Sequence, residues 1–256
     1  MKAIELERDG HVLKMKLNRP DKMNAFNLEM LRGLSEAFTT LEEDSELRCG
    51  LLYASGDHFT AGLDLAEVGP AVGNGEALFP ADRVDPVQVN GRKRTKPVVM
   101  AVQGYCLTIG MELILANDIC IAHPDTKFGQ IEVKRGIFPF GGATVRMPQR
   151  CGWGNAMRYL LTGDMFDGRE AYRIAFVQEL AEEPVERAIQ LAKTIAAQAP
   201  LGVYASLKSS QTTILGKVDE ALADLEDEAR ALMETEDARE GMLSFMERRE
   251  ARFQGK

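Results

Sequence analysis

Val102-Gln103-Gly104-Tyr105-Cys106-Leu107-Thr108-Ile109-Gly110-Met111-Glu112 decides how this chain is read. Pro97–Val102 predicts a strand, Gly104–Gly110 a glycine-punctuated loop, and Met111–Ala116 the start of a helix. Glu112 is the one charged residue in the apolar run from Cys106 to Ala116. A carboxylate there is costly unless it is paired, hydrogen-bonded or neutralised. Helix N-termini expose unpaired N–H groups and carry partial positive charge. Thr108 is expected to cap this helix, leaving the Ile109 N–H facing whatever lies above the loop, with Glu112 one turn on. Two readings stand: a structural glutamate bonded to backbone or a basic partner, or a catalytic one.

Reading outward toward the C-terminus, Asp118–Ala122 predicts another strand and Phe128–Glu132 a short one. That segment carries a second lone acid, Glu132. Lys134 and Arg135 follow it, and such a charge group usually marks a solvated surface. Two lone acids can also hold one water between them, one taking a proton and the other giving one. From Pro184 onward, segments 184–198, 200–213 and 218–235 show helical apolar spacing, and 237–250 adds another. A boundary falls near residue 199, at Ala199-Pro200-Leu201-Gly202, giving a core of 1–199 and a helical region of 200–256. The latter is too small to bury its own core and is expected to pack on the core or on another subunit.

Toward the N-terminus, Phe59-Thr60-Ala61-Gly62-Leu63-Asp64-Leu65 reads as a turn. Gly62 either meets a backbone requirement or aims the Leu63 N–H at a substrate oxygen. Residues 11–17 predict a strand and Asn18–Lys22 a turn. Asn27 is a plausible N-cap for a helix to about Glu43, and Cys49–Ala54 a short strand. Gly69–Asp85 reads as a loop or irregular helix over the site, and Arg92–Lys96 as a basic segment. Strands alternate with helices, so the class is α/β.

The 256 residues suffice for one large domain, and a hydrophobic fraction of 45% with 27% charged residues is ordinary for a globular protein. The net charge of -8 argues against nucleic acid as a general partner. Cys49, Cys106, Cys120 and Cys151 form no CxxC pair, which argues against a structural metal or disulfide and fits a reducing compartment. No apolar run approaches a membrane span. No charged leader is evident, and the expectation is a cytoplasmic protein.

Taken together, these segments resemble the crotonase, or enoyl-CoA hydratase/isomerase, family. The resemblance runs through Leu17-Asn18-Arg19-Pro20-Asp21-Lys22-Met23-Asn24-Ala25, Phe59–Asp64, Gln103–Leu107, Glu112, Asn117-Asp118-Ile119 and Phe128–Glu132. It continues through Pro139-Phe140-Gly141-Gly142, Leu161-Thr162-Gly163 and Phe245–Arg249. It implies a spiral of ββα turns with a helical C-terminal trimerisation region, as a trimer or a hexamer. The implied substrate is an acyl-CoA thioester, its carbonyl oxygen between the backbone N–H groups of Leu63 and Ile109. Lys22, Met23, Ala25, Ala61, Asp64, Leu65 and Ala66 would hold the CoA, which is part of the substrate. No other cofactor and no metal are implied. Arg92, Lys93 and Arg94 are candidates for the CoA phosphates or for a solvated basic face. Arg248 and Arg249 are candidates to reach a neighbour's CoA.

In the hydratase branch both acids are catalytic and match Glu112 and Glu132. The implied reaction adds water across a trans-2-enoyl-CoA, with Glu112 activating water and Glu132 supplying the C2 proton. Thr108 and Ile109 stand where that pattern has glycines, and Phe140 adds bulk near the acyl group. An isomerase using the second acid alone is the nearest rival, beside another acyl-CoA lyase or hydrolase of the same family, and Glu112 argues against the isomerase. A noncatalytic acyl-CoA- or RNA-binding relative is the distant one.

Overall fold

The computed structural model describes residues 2–214, 216, 224, 227 and 229–256. Its frame is a six-stranded sheet in the order β1-β2-β3-β4-β6-β9. The strands are β1 (Ile4–Asp9), β2 (Val12–Leu17), β3 (Cys49–Ala54), β4 (Val98–Val102), β6 (Ile119–Ala122) and β9 (Glu179–Leu180). Only the β1–β2 hairpin is antiparallel; the other pairings are parallel. A parallel strand covered by helices on both faces reads as an apolar run rather than alternating, and the central strand does so. β4, Val-Val-Met-Ala-Val, is buried at every position.

The period-2 alternation still sorts side chains between the two faces. Leu52, Met100 and Val102 join the larger core with Met30, Leu31, Leu34 and Phe38 of helix α1 (Leu28–Glu43). Leu51, Val99 and Ala101 face the opposite way, onto α7 (Pro184–Ala196). Ala188, Ala192 and Ala196 form a small-residue stripe at fourfold spacing, and all three are buried against that sheet face. The predicted cap of α1 is present: the Asn27 side chain accepts from the Met30 N–H at 3.0 Å.

A second sheet, β5-β7-β8, consists of β5 (Tyr105–Leu107), β7 (Lys127–Gly129) and β8 (Phe166–Asp167). β5 lies inside the segment expected to be loop. Three residues are too few to show a period, and their strand conformation comes from pairing with β7 in the register Leu107↔Gly129. The helix after β5, α3, runs Ile109–Ala116 and begins two residues before the expected start. The strand expected over 128–132 stops at Gly129, and Glu132 begins a short 3-10 turn, Glu132–Arg135. Within 69–85, the first residues belong to α2 (Leu65–Gly73), which carries Pro70 inside it.

Beyond the small sheet lie α4 (Ala143–Cys151), α5 (Trp153–Thr162) and α6 (Gly168–Arg173). After α7 come α8 (Pro200–Ile214) and α9 (Glu236–Glu247). Much of the predicted helix 218–235 lies outside the described residues; 229–233 are helical. The C-terminal end folds back. Arg48 donates to Ala196 O and to Phe253 O, and the Asp237 carboxylate accepts the Gln254 and Gly255 N–H groups.

The basic segment needs a correction. Arg94 is neither solvated nor free for a phosphate: its side chain is 1% exposed and grips Asp118 through two 2.8 Å hydrogen bonds. Asp118 also accepts the Val98 N–H, so this pair braces β4. A run of basic residues looks like a surface, but the chain buries one of the three. Arg92 pairs with Glu43, and Lys93 donates to Gln88 O.

Candidate active site

Two loops converge above the sheet. Thr60 bridges Cys106, with the Thr60 N–H on Tyr105 O at 2.9 Å and the Leu107 N–H on Thr60 O at 3.0 Å. A second bridge joins Phe26 and Leu63, using Phe26 N–H to Gly62 O and Asp64 N–H to Phe26 O, both 2.8 Å. In a parallel bridge the middle residue's own polar groups point away from the partner. Leu63 therefore turns its N–H outward. The Ile109 N–H is the first of α3 and has no acceptor one turn back within the helix. Among the described residues no hydrogen bond engages either donor. The expected oxyanion pair thus sits on adjacent loops with both N–H groups available.

Thr108 does not cap α3 as expected. Its backbone has φ 46° and ψ -111°, and no side-chain cap bond forms. A Cβ on Gly62 would meet Thr108 Oγ1 at 2.5 Å, so the threonine hydroxyl lies against the glycine that precedes Leu63. Positive φ is a place for glycine, and a β-branched residue there is strained.

The β5–β7 register brings the two acids together. Thr108 N–H donates to Gly129 O at 3.0 Å, tying the start of α3 to the end of β7. Glu112 lies one turn into α3 and Glu132 three residues beyond Gly129. Both are buried, at 5% and 8% exposure, so the surface reading of Glu132 is wrong. Lys134 and Arg135 are exposed while the acid between them and β7 turns inward.

Glu112 receives the Gly141 N–H on Oε1 at 2.6 Å. Burial pushes its carboxyl up to about 7, opposed by N–H groups of Gly141 and Ala143 and by the Arg146 charge. Burial also pushes Glu132 up to about 7; its own N–H opposes this, and the Glu112 charge adds to it. With its amide nitrogen turned toward Glu132, Gln130 donates to both carboxyl oxygens, at 2.9 and 3.1 Å. The reverse orientation would suit a protonated Glu132, since amide orientation follows the hydrogen-bond network.

The expected CoA segments lie together around Leu63. Ala61 N–H donates to Met23 O, Met23 N–H to Pro20 O, and Ala25 N–H to Lys22 O. Lys22 and Met23 are exposed, and Met23 and Asn24 both have positive φ. Asp64 is structurally committed: its N–H goes to Phe26 O and its carboxylate to Arg19 at 2.9 Å. Leu65 and Ala66 are exposed at the first turn of α2, where Asp64 makes no side-chain cap. Arg249 is engaged elsewhere, paired with Glu240 and Glu247.

Several residues escaped the sequence reading. Buried Asn24 donates to Ser55 O and His58 O and accepts the Arg19 N–H, which sets the turn carrying Met23. Gln130 and the Gly141 N–H hold the two acids. The spacing of Gln130 two residues before Glu132 was the one available signal.

Comparison with known proteins agrees with this geometry. The family model described as enoyl-CoA hydratase/isomerase matches residues 7–256, and the chain belongs to that family. It is 31% identical over 98% of its length, and 96% of the relative's, to enoyl-CoA hydratase EchA19 of Mycobacterium tuberculosis. It is 32% identical to 1,2-epoxyphenylacetyl-CoA isomerase of Escherichia coli, covering 96% of this chain and 95% of that one. A probable enoyl-CoA hydratase/isomerase from Mycobacterium abscessus superimposes with a TM-score of 0.95 at 46% identity, over 99% of both chains.

Proposed function

We propose that the protein is an enoyl-CoA hydratase acting on a trans-2-enoyl-CoA. The observation that carries this reading is the burial of two carboxyl groups beside two backbone N–H donors that no hydrogen bond engages among the described residues; burial pushes both carboxyls up to about 7. One proton shared between two acids is what hydration of a double bond needs. The thioester oxygen accepts from Leu63 and Ile109. Ionised Glu112 takes a proton from water as its oxygen bonds to C3. The C2–C3 π electrons move toward the thioester, forming an enolate that the two N–H groups stabilise by a few kcal/mol each. Protonated Glu132 then delivers its proton to C2. Water has been added; Glu112 now carries a proton and Glu132 has lost one, and return of a proton from Glu112 to Glu132, directly or through solvent, resets the pair.

CoA is part of the substrate, and these groups supply acid, base and electrophile without another cofactor. Backbone around Lys22, Met23, Ala25, Ala61, Leu65 and Ala66 borders the CoA, with Asp64 fastening that wall through Arg19. Residues 200–256 serve in oligomerisation in this reading, with α8 and α9 as helices described within them. Exposed Met242, Phe245 and Met246 on α9 support self-association as a trimer or a dimer of trimers. Four free, buried cysteines fit a cytoplasmic location, and among the described residues no helix is long and apolar enough to cross a membrane.

The test is loss of conjugated-thioester absorbance with crotonyl-CoA and longer enoyl-CoAs, run beside 3-enoyl-CoAs. Conversion of 3-enoyl-CoAs alone would replace hydration by isomerisation. The isomerase named among the relatives makes that comparison necessary.

A further inference from the structure

Gly141 and Gly142 form a two-residue slot between opposite charges. A Cβ on Gly141 would overlap the Glu112 carboxyl, and a Cβ on Gly142 would overlap the Arg146 guanidinium. Arg146 donates through NH1 to Gly141 O at 3.3 Å and through NH2 to Gln88 O at 2.8 Å. Gln88 belongs to a loop built on the buried carboxylate of Asp85, which accepts the Val87, Val89 and Asn90 N–H groups. The turn that donates to Glu112 is therefore bolted from behind to a preformed loop, and the bolt is a cation.

We propose that Arg146 is a positioning residue of this site: it holds the Gly141–Gly142 turn against Glu112 and presents a positive charge to that carboxylate from behind the turn. This rests on the reading of Glu112 as the base that activates water. Arg146 does not touch the reacting atoms. It acts first mechanically, by keeping the Gly141 N–H on Oε1, since small displacements of a catalytic group are costly. It acts second through its field, because a nearby cation favours the ionised carboxylate.

The charges facing Glu112 are few. α3 contributes no other charged residue. Glu132 faces it from the turn after β7 and Arg146 from α4. Behind Arg146 stand Asp85, Arg150 and Arg94. Asp85 is committed to its loop, Arg94 to Asp118, and Arg150 to carbonyls of Ile114, Leu115 and Asn117. Arg146 is thus the cation whose removal changes the field at Glu112.

The experiment compares wild type, Arg146→Lys and Arg146→Met in the full-length protein. In Arg146→Met, kcat for crotonyl-CoA should fall about ten- to a hundred-fold, with KM within about threefold. The limb of the pH profile that requires ionised Glu112 should move to higher pH. Arg146→Lys keeps the charge but cannot serve both carbonyls; its pH profile should return toward wild type while kcat stays reduced. Against a Glu112→Gln background, Arg146→Met should cost little further, because residues acting as one unit are not additive. A rise in KM alone, an unmoved pH profile, or full additivity with Glu112→Gln would overturn the proposal. Should Arg146→Met fail to fold, wild-type kcat and pH profile in Arg146→Lys would overturn it equally. Carboxyl titration by carbon-13 NMR, assigned with Glu112→Gln, separates the two readings. If no enoyl-CoA is hydrated yet the Glu112 titration moves with Arg146, the hydratase reading fails and the Arg146–Glu112 coupling stands.

Discussion

Gly141 and Glu112 are fitted to each other: the Gly141 N–H donates to Glu112 Oε1 at 2.6 Å, and no side chain can stand on Gly141 without striking the carboxyl. The glycine therefore does two jobs at one atom's spacing. It offers a donor and it leaves the space that lets the acceptor come close. Gly141→Ala should displace the Glu112 carboxyl and lower hydration about a hundredfold. CoA affinity, measured by calorimetry, should change little, because the hydrogen bonds of Gly141 go to Glu112 and Arg146 rather than to the Lys22–Ala25 and Ala61–Ala66 segments. Wild-type turnover in Gly141→Ala would show that the contact is dispensable.

Glu112→Gln and Glu132→Gln should each reduce hydration about a hundred- to ten-thousand-fold, the usual weight of a general acid or base. With one acid ionised and the other protonated, kcat/KM should be bell-shaped in pH. It rises as the first proton leaves the pair and falls as the second does. Both carboxyls are pushed to about 7, so both limbs should lie near neutrality rather than near pH 4. Each single mutant should lose one limb. Full activity in either one removes the two-acid mechanism.

The same burial has a stability cost with a definite sign. Folding raises each carboxyl from 4.5 to about 7, so the folded state holds protons that the unfolded state releases between those values. Stability therefore falls as pH rises through that window, by roughly a few kcal/mol in all, and stays lowered above it. Glu112→Gln cannot ionise. It should be more stable than wild type at pH 8, with the advantage shrinking toward pH 5, as measured by urea unfolding. An advantage independent of pH would point to packing instead.

Legibility differed with the range of the interaction. The Asn27 cap and the apolar face of α1 are local, and both were readable. So was Glu112, because its whole neighbourhood is apolar. Glu132 was misleading, since Lys134 and Arg135 are adjacent in sequence but point outward while β7 pairing turns the acid in. The order β1-β2-β3-β4-β6-β9 and the register Leu107↔Gly129 depend on distant partners and left no local mark. Arg94 was misread for the same reason: its partner, Asp118, is twenty-four residues away.

The Arg94–Asp118 pair makes a prediction of its own. Arg94→Met leaves the partly buried Asp118 carboxylate, 22% exposed beside β4, without its cation, and removing one partner from such a pair costs about 1–3 kcal/mol. Chemical unfolding should show a loss of that order. CoA binding by the folded fraction should match wild type, because the guanidinium is enclosed by Asp118, Lys96 O and Ala116 O. A selective loss of CoA affinity with stability intact would instead return Arg94 to the phosphate site.

Thr108 offers the last test, because two effects there oppose each other. Its φ of 46° with ψ -111° strains a β-branched residue, a cost on the order of 1–3 kcal/mol. Glycine relieves that strain but raises the entropy of the unfolded chain, worth about 0.5–1 kcal/mol. Strain relief is the larger quantity, so Thr108→Gly should raise the unfolding free energy by about 1 kcal/mol. Thr108→Ala keeps a Cβ at the same φ and should gain less than glycine. Catalysis adds a second readout. The Ile109 N–H belongs to the backbone and survives either change, so hydration of crotonyl-CoA should persist within about tenfold, far less than loss of an oxyanion donor costs. What should change is the space beside Gly62, where Oγ1 now lies. Relative kcat/KM across a chain-length series should shift toward bulkier acyl groups in Thr108→Gly. Glycine that destabilises the protein, or an unaltered acyl preference, would mean that the threonine is neither strained nor part of the pocket wall.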